Sequence, residues 1–403
     1  MAENGQRRRV VIAGGGVAGL ETALALQALA PEQVAVELIA PEREFTYRPL
    51  AVSEPFLAGE VRRFPLTPLV LRAGAEFRIG AVCGVDPGRK RIELEDGAEV
   101  DYDVLVLALG AEPREAVSGA ITFRGPQDGP AIASLLSRAT AGELRRIVFA
   151  VPTAITWPLP LYELALLTAE YLADNVTRGV EVALATPEDR PLALFGPAAS
   201  DAIRELLEIR GIALFAGVAP TGWDGLVLRL AGAEEIAADA VVALPALDGP
   251  FLAGVPHDHG GFVPTDAYGR VTGLTDVFAV GDLTQFPIKQ GGLAAQQADA
   301  AATAIAADAG APVEPTAFRP VLRGLLLTGM APRFLRSETG TGASIVDTEP
   351  LWWPPAKIVG RHLAPFLAEH LGLSDDHPRP ETSGNVQVEV ELDPQGHPAW
   401  SPV

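Results

Sequence analysis

Residues 10–26, VVIAGGGVAGLETALAL, constrain the fold of this chain more than any other stretch. An apolar run predicts a β-strand, a glycine cluster predicts a tight turn, and an Ala/Leu-rich run that stops at Pro31 predicts a helix. Gly14, Gly16 and Gly19 fill the G-x-G-x-x-G positions. The first glycine permits the turn, and the second lets backbone approach a pyrophosphate. The third lets helix and strand pack closely, leaving the free N–H groups of the helix N-terminus facing the phosphates. Gly14, Gly16, Val17, Ala18 and Gly19 are therefore candidates for binding a dinucleotide. A glycine turn without a ligand is the alternative. The strand–turn–helix context within the first thirty residues argues against it.

A chain of 403 residues holds two or three domains, and 48% apolar residues suffice for a large core. The net charge of −20 repels nucleic acid and anionic lipid, so neither is expected as a general partner. One cysteine, Cys83, excludes an intrachain disulfide and a two-cysteine redox centre; its apolar neighbours predict a buried, inert thiol. Arg7, Arg8 and Arg9 before an apolar run superficially imitate a secretion signal. That run is the glycine fingerprint itself, so its removal would destroy the fold. No run is long enough for a transmembrane helix. The expected location is the cytoplasm, with peripheral membrane attachment as a variant.

Strands and helices alternate beyond the fingerprint. Val34–Ile39 predicts the second strand, and Glu42, just past its end, is the candidate for ribose hydroxyls. Arg43 and Arg48 lie close enough in sequence to meet a phosphate. Short strands are predicted at Val82–Val85, Arg91–Leu94 and Glu99–Tyr102, then an apolar strand at Val104–Ala108 closed by Leu109-Gly110. Val82, Ala108 and Gly110 complete the candidate cofactor contacts of this half. The segment TDVFAVGD, Thr275–Asp282, places Gly281 and Asp282 at a strand's carboxyl end, where ligands of α/β sheets sit. Lys289-Gln290-Gly291-Gly292 then opens a helix, Leu293–Ala307, whose positive end would stabilise negative charge. In VPHDHGG, His257 and His259 have the spacing of a metal pair, but a polar surface loop is preferred and no metal site is assigned.

The segments GGGVAG, LVLALG and TDVFAVGD, in this order and spacing, resemble the two-dinucleotide-binding-domain flavoproteins of the pyridine nucleotide-disulfide oxidoreductase superfamily. FTYRP (Phe45–Pro49), the AAQQA run from Ala294 to Ala298 and WWPPAKIVGRHL (Trp352–Leu363) resemble the sulfide:quinone oxidoreductase and type II NADH dehydrogenase branch. The resemblance implies an α/β fold of two Rossmann-like, doubly wound, three-layer domains, the second inserted in the first, with a C-terminal α+β cap. The implied boundaries are 1–111 and 251–310 for an FAD domain, 112–250 for the insert and 311–403 for the cap. It also implies FAD, with Gly14, Gly16 and Gly19 on the pyrophosphate, Glu42 on the adenosine ribose and Asp282 on the ribityl chain. Gly292 and Leu293 would lie under the pyrimidine edge of the flavin. The cap would cover the flavin and form a quinone tunnel or membrane-facing surface; a homodimer interface is the alternative use of its Trp and Leu residues.

The departures are equally specific. Between a predicted strand at Arg146–Ala150 and a helix at Tyr162–Ala173 the turn reads VPTAITWPLP, without glycine. Pro152, Pro158 and Pro160 lack the N–H groups a second pyrophosphate needs. Thr156 or Trp157 stands where the resemblance would place a reactive cysteine, and none occurs around Thr328–Met330. A cysteine persulfide therefore lacks its nucleophile. Glu163, Tyr162 and Lys289 remain as candidate catalytic residues, with Glu163 read either as a helix N-terminal carboxylate or as an acid/base. Lys357 is a second candidate cation beside the flavin, and His362 is read as structural. The expected function is an FAD-dependent oxidoreductase with a small-molecule donor and a quinone-like or other small acceptor. An NAD(P)H-dependent flavin oxidoreductase and a non-catalytic flavoprotein or partner-binding relic are the alternatives. The remaining strands of the insert are predicted at Gly179–Thr186, Ile212–Phe215, Leu226–Leu230 and Ala240–Leu244, and a terminal strand at Val386–Leu392.

Overall fold

The computed structural model describes residues 7–153, 157–337 and 344–371. Thr156 and the terminal strand expected at Val386–Leu392 lie outside them. Two all-parallel five-stranded sheets carry the architecture. The first runs Val277–Ala279, Val104–Leu107, Arg8–Ala13, Val34–Ala40, Glu76–Ile79 in spatial order. Its first strand in sequence has neighbours on both sides, which makes the end of Arg8–Ala13 the switch point where a ligand crevice opens. The second sheet, Ile121–Thr122, Ala240–Ala243, Arg146–Ala150, Glu181–Ala185, Ala213–Phe215, repeats four strands of that plan with Arg146–Ala150 in the pivotal place, and its edge strand Ile121–Thr122 precedes the others in sequence.

Alternation along each strand explains the layers. In the first sheet Val10, Ile12, Val104 and Val106 face helices Val17–Leu29 and Gly291–Asp308. Val11, Ala13, Leu105 and Leu107 face Ile92, Leu94 and Val100 of a small antiparallel sheet. Both faces are covered, so these strands read as continuous apolar runs. The two helices are rich in alanine, and their short side chains let them pack together. The insert is buried around Phe149, Tyr162, Leu166 and Phe195.

The small antiparallel sheet corrects one expectation. Cys83 is exposed, not buried. A bulge between Val82 and Gly84 interrupts the strand there, and the thiol lies on its outer side, with Sγ 3.4 Å from the Glu93 carbonyl oxygen. The cap comprises an antiparallel sheet, Arg323–Leu326, Arg333–Ser337 and Ser344–Asp347, followed by helix Leu363–His370. Among the described residues no helix is long and apolar enough to cross a membrane.

Candidate cofactor and substrate site

The three fingerprint glycines are needed for three different reasons. Gly14 has φ +119°, and a Cβ there would stand 2.2 Å from the Ala108 carbonyl oxygen. A Cβ on Gly19 would stand 1.9 Å from the Gly14 carbonyl oxygen, so helix and strand meet backbone to backbone. A Cβ on Gly16 would touch nothing within 4 Å. The open space lies beside Gly16, at the N-terminus of a helix beginning at Val17 that no side chain caps. That cradle fits a pyrophosphate.

The other cofactor candidates surround it. Ala18 is buried under Gly281: a Cβ added to Gly281 (φ +75°) would lie 3.0 Å from the Ala18 Cβ. The Gly281 N–H donates to Gln297 Oε1 at 2.7 Å, fixing the turn that presents Asp282. Ala108 donates its N–H to the Ala13 carbonyl oxygen at 2.8 Å, and Gly110 follows at φ +76°. Val82 sits half-buried against the small antiparallel sheet's core. Glu42 is exposed two residues beyond the strand end at Ala40. Arg48 is exposed and lines a separate cavity that Asp282 also lines.

That cavity, about 650 Å³, is bounded by all three parts of the chain. Asp282, Lys289 and Gly291 form one wall; Trp157, Pro160 and Glu163 form another, and Arg323, Leu325 and Lys357 belong to the cap. Burial pushes the Asp282 carboxyl up, against the pull of Lys289 and Arg48. Burial brings Lys289 down to about 8, against the charges of Asp282 and Asp258. Lys289 donates to the Thr284 carbonyl oxygen and lies 3.8 Å from the Phe262 ring centroid.

Three site residues stand differently from the sequence expectation. Leu293 is buried and its N–H is taken at 2.8 Å by Oε1 of Gln290, the residue that caps the helix. The N–H groups of Gly291 and Gly292 have no acceptor among the described residues and are the free donors of that helix end. Glu163 does not cap its helix, Leu159–Asp174. Its carboxylate is fully buried, 2.5 and 2.6 Å from Lys357 Nζ, and accepts the Leu327 N–H at 2.8 Å. Burial raises its carboxyl and Lys357 opposes that rise.

Tyr162 points away from the cavity. Its hydroxyl donates to Glu188 Oε2 at 2.7 Å, just past the end of strand Glu181–Ala185, and accepts from the Leu192 N–H at 3.4 Å. One residue's step along the helix rotates it away from its neighbour Glu163. His257 packs edge-on to Phe251, and Asp258 accepts N–H groups from Gly260 and Phe262 in its own loop. Among the described residues no cluster of three His, Cys, Asp or Glu is placed to hold a metal.

The cap segment from Trp352 to Leu363 roofs the cavity. Besides Lys357, the Ile358 N–H donates to the Tyr47 hydroxyl at 3.0 Å, and the N–H groups of His362 and Leu363 donate to Glu21 at 2.7 Å each. Sequence reasoning missed Glu21, Gln290 and Arg323 in this site. The capping place of Gln290 before two glycines was a usable signal for the second of them.

Two doubly wound sheets, a glycine cradle at a switch point and a cap over the crevice define a dinucleotide-binding flavoprotein fold. The chain belongs to the pyridine nucleotide-disulphide oxidoreductase family, whose model matches residues 8–144 and 163–305. The residues of the cradle fit FAD, the cofactor of this family. Rhodocoxin reductase of Rhodococcus erythropolis is 25% identical over 294 residues, covering 69% of this chain and 65% of the relative. Sulfide-quinone reductase of Aquifex aeolicus is 33% identical over 108 residues, 26% of this chain and 24% of the relative. The matched stretch thus spans less than two thirds of either curated relative. The solved sulfide:quinone oxidoreductase from that bacterium superposes with TM-score 0.77 at 21% identity, covering 84% of this chain and 86% of that one. This likeness is one of fold.

Proposed function

We propose that the protein is an FAD-dependent oxidoreductase that passes electrons from a small-molecule donor to a quinone-like or other small apolar acceptor, without a cysteine persulfide. One observation carries this reading: a single cavity joins the wall of Asp282 and Lys289 to the buried Glu163–Lys357 pair. When bound, FAD supplies reversible electron and hydride transfer. Gly14, Gly16 and Gly19 would hold its pyrophosphate, Asp282 its ribityl hydroxyls, and the Gly291 and Gly292 N–H groups its electron-rich edge. Lys289 holds positive charge near that edge below about pH 8. Glu163, its carboxyl raised by burial against the pull of Lys357, accepts hydrogen bonds from Lys357 Nζ, and both residues of the pair line the cavity. Trp157, Phe123 and Leu325 offer a flat apolar acceptor its contact surface and exclude water. Cys83 is not among the residues that line the cavity.

An anaerobic spectral titration of the yellow holoprotein with NADH, NADPH, sulfide and a quinol tests this reading. The expected result is bleaching by the quinol and none by sulfide. A flavin that none of the four touches would overturn it and favour a non-catalytic flavoprotein. Rapid bleaching by NADH would favour a second reading, an NAD(P)H-dependent reductase, which the intact second parallel sheet supports. Its proline-rich turn and the inward Tyr162–Glu188 pair speak against it. A peripheral membrane contact and a homodimer, both through the cap, belong to the same proposal and are tested by vesicle flotation and by light scattering.

A further inference from the structure

About half of the described arginines are paired with acids. Arg9 and Arg78 share Glu37, Arg91 takes Glu99 and Asp101, Arg146 takes Glu181, and Arg210 takes Glu170. With 51 acids against 31 bases, carboxylates are abundant. The cap hairpin instead sets two arginines against each other. Arg323 and Arg336 are direct partners across its antiparallel pair, so their side chains leave the same face. Neither has a carboxylate partner among the described residues. Both are partly buried, and Arg336 Nε is buried without a hydrogen-bond partner. Arg323 forms part of the cavity wall, and Arg336, across the hairpin from it, is not among the lining residues. The Arg323 guanidinium is pushed below its ordinary value by burial first and by the Arg336 charge second, with no acid among the causes. Its own carbonyl oxygen accepts from Gln290 Nε2 at 3.2 Å, which ties the hairpin to the cofactor-side helix. Of the two acids on the cavity wall, Glu163 is already paired with Lys357, and Asp282 faces Lys289 and Arg48.

Two like charges facing each other in a partly desolvated wall are unfavourable unless an anion lies between them. Planar guanidinium forks match oxyanions in geometry as well as charge. We propose that Arg323 on the cavity wall, with Arg336 beside it across the hairpin, forms an oxyanion-recognition site at the edge of the substrate cavity, so that the electron donor or acceptor carries a carboxylate-like group on an apolar body. The apolar part follows from Trp157, Phe123 and Leu325 on the same cavity. This rests on the oxidoreductase reading above and narrows its substrate class from a neutral apolar molecule to an anionic one.

The test uses the FAD-loaded protein, with ionic strength held constant by chloride. Benzoate, neutral benzamide and inorganic phosphate are titrated while the flavin bands and the melting temperature are followed. Benzoate is expected to perturb both and benzamide neither. Arg323→Gln and Arg336→Gln should each weaken benzoate about tenfold or more, the loss of a hydrogen bond to a charged group. Arg323→Lys should restore part of it. In benzoate-free buffer Arg323→Gln should melt no lower than the parent, because it relieves a repulsion. Equal binding of benzoate and benzamide, or a benzoate-free melting temperature that falls in Arg323→Gln, would overturn the site. Phosphate binding as tightly as benzoate would overturn the apolar-body half. Quinol bleaching with no benzoate response defeats this inference alone, whereas a flavin that no reductant bleaches defeats the reading beneath it.

Discussion

Gly16 is the one fingerprint glycine that the fold itself does not require. Its φ of −82° suits any residue, and a Cβ there meets open space. Gly16→Val should therefore fold with stability within about 1 kcal/mol of the parent and purify colourless, since its side chain occupies the pyrophosphate cradle. Gly19→Ala, with its Cβ 1.9 Å from a backbone oxygen, should lose about 3 kcal/mol. Urea melts and flavin absorbance per protein separate the two effects; a yellow Gly16→Val protein with stoichiometric FAD would refute the assignment. The same logic ranks two carboxylates. Asp282 is held in a fixed turn beside the cradle, whereas Glu42 stands exposed past its strand. Asp282→Ala should weaken FAD binding by about 1–3 kcal/mol and Glu42→Ala by less, measured by titrating apoprotein with FAD. Equal affinities would contradict the role given to Asp282.

The cap segment at residues 357–363 is held at three points, by Glu163, Tyr47 and Glu21. Removing Lys357 leaves a charge buried without its partner, so Lys357→Met should cost about 3–5 kcal/mol, and adding Glu163→Gln should recover much of it. A double-mutant cycle in urea checks this; additive losses would show that the two residues act apart. Glu21 also accepts from the backbone beside an acid on the neighbouring helix, Asp299. Burial, then the Glu21 charge, raises Asp299 to about 8 from an ordinary 3.8. The folded protein thus binds a proton more tightly than the unfolded chain does. This contribution to stability is fully present below about pH 4 and lost as pH rises through about 8. Asp299→Asn should flatten that slope and raise the melting temperature above pH 8; a parent whose melting temperature does not fall between pH 6 and 9 would disprove it. Most strands of both sheets were legible because buried strands are short apolar runs between turn residues. The Glu163–Lys357 pair was not, because its members are 194 residues apart and neither carries a local pattern. Tyr162 misled for a related reason: adjacency to Glu163 in sequence says nothing about sharing a helix face. Cys83 misled because its apolar neighbours do not reveal a bulge.

At the scale of the whole molecule, the two sheets share the order of four of their five strands and have different turns at the pivotal strand. The first keeps its glycine cradle. In the second, Trp157 packs on Phe195 at 5.7 Å, Pro158 and Pro160 open the helix, and Tyr162 binds Glu188 where the next strand ends. In a sheet of this kind that strand end is where an acidic residue meets a nucleotide's ribose. Here the acid is committed to an internal phenol, and burial raises both groups, so the pair is held by hydrogen bonds to Thr186 and to the Leu192 and Ala193 N–H groups as well. A second dinucleotide would have to break this network and displace proline rings at the same time. Stopped-flow mixing should therefore show slow, incomplete flavin reduction by NADH or NADPH. Tyr162→Phe should not restore fast reduction, because the prolines still withhold the N–H groups a pyrophosphate needs. Sulfide should give no persulfide-dependent turnover, and Cys83→Ser should leave every rate unchanged, since that thiol lies on the outer face of a small sheet. Complete reduction within milliseconds at micromolar NADH would show that the second sheet still accepts nicotinamide, and the electron donor would then be sought there instead of in the cavity beneath the cap.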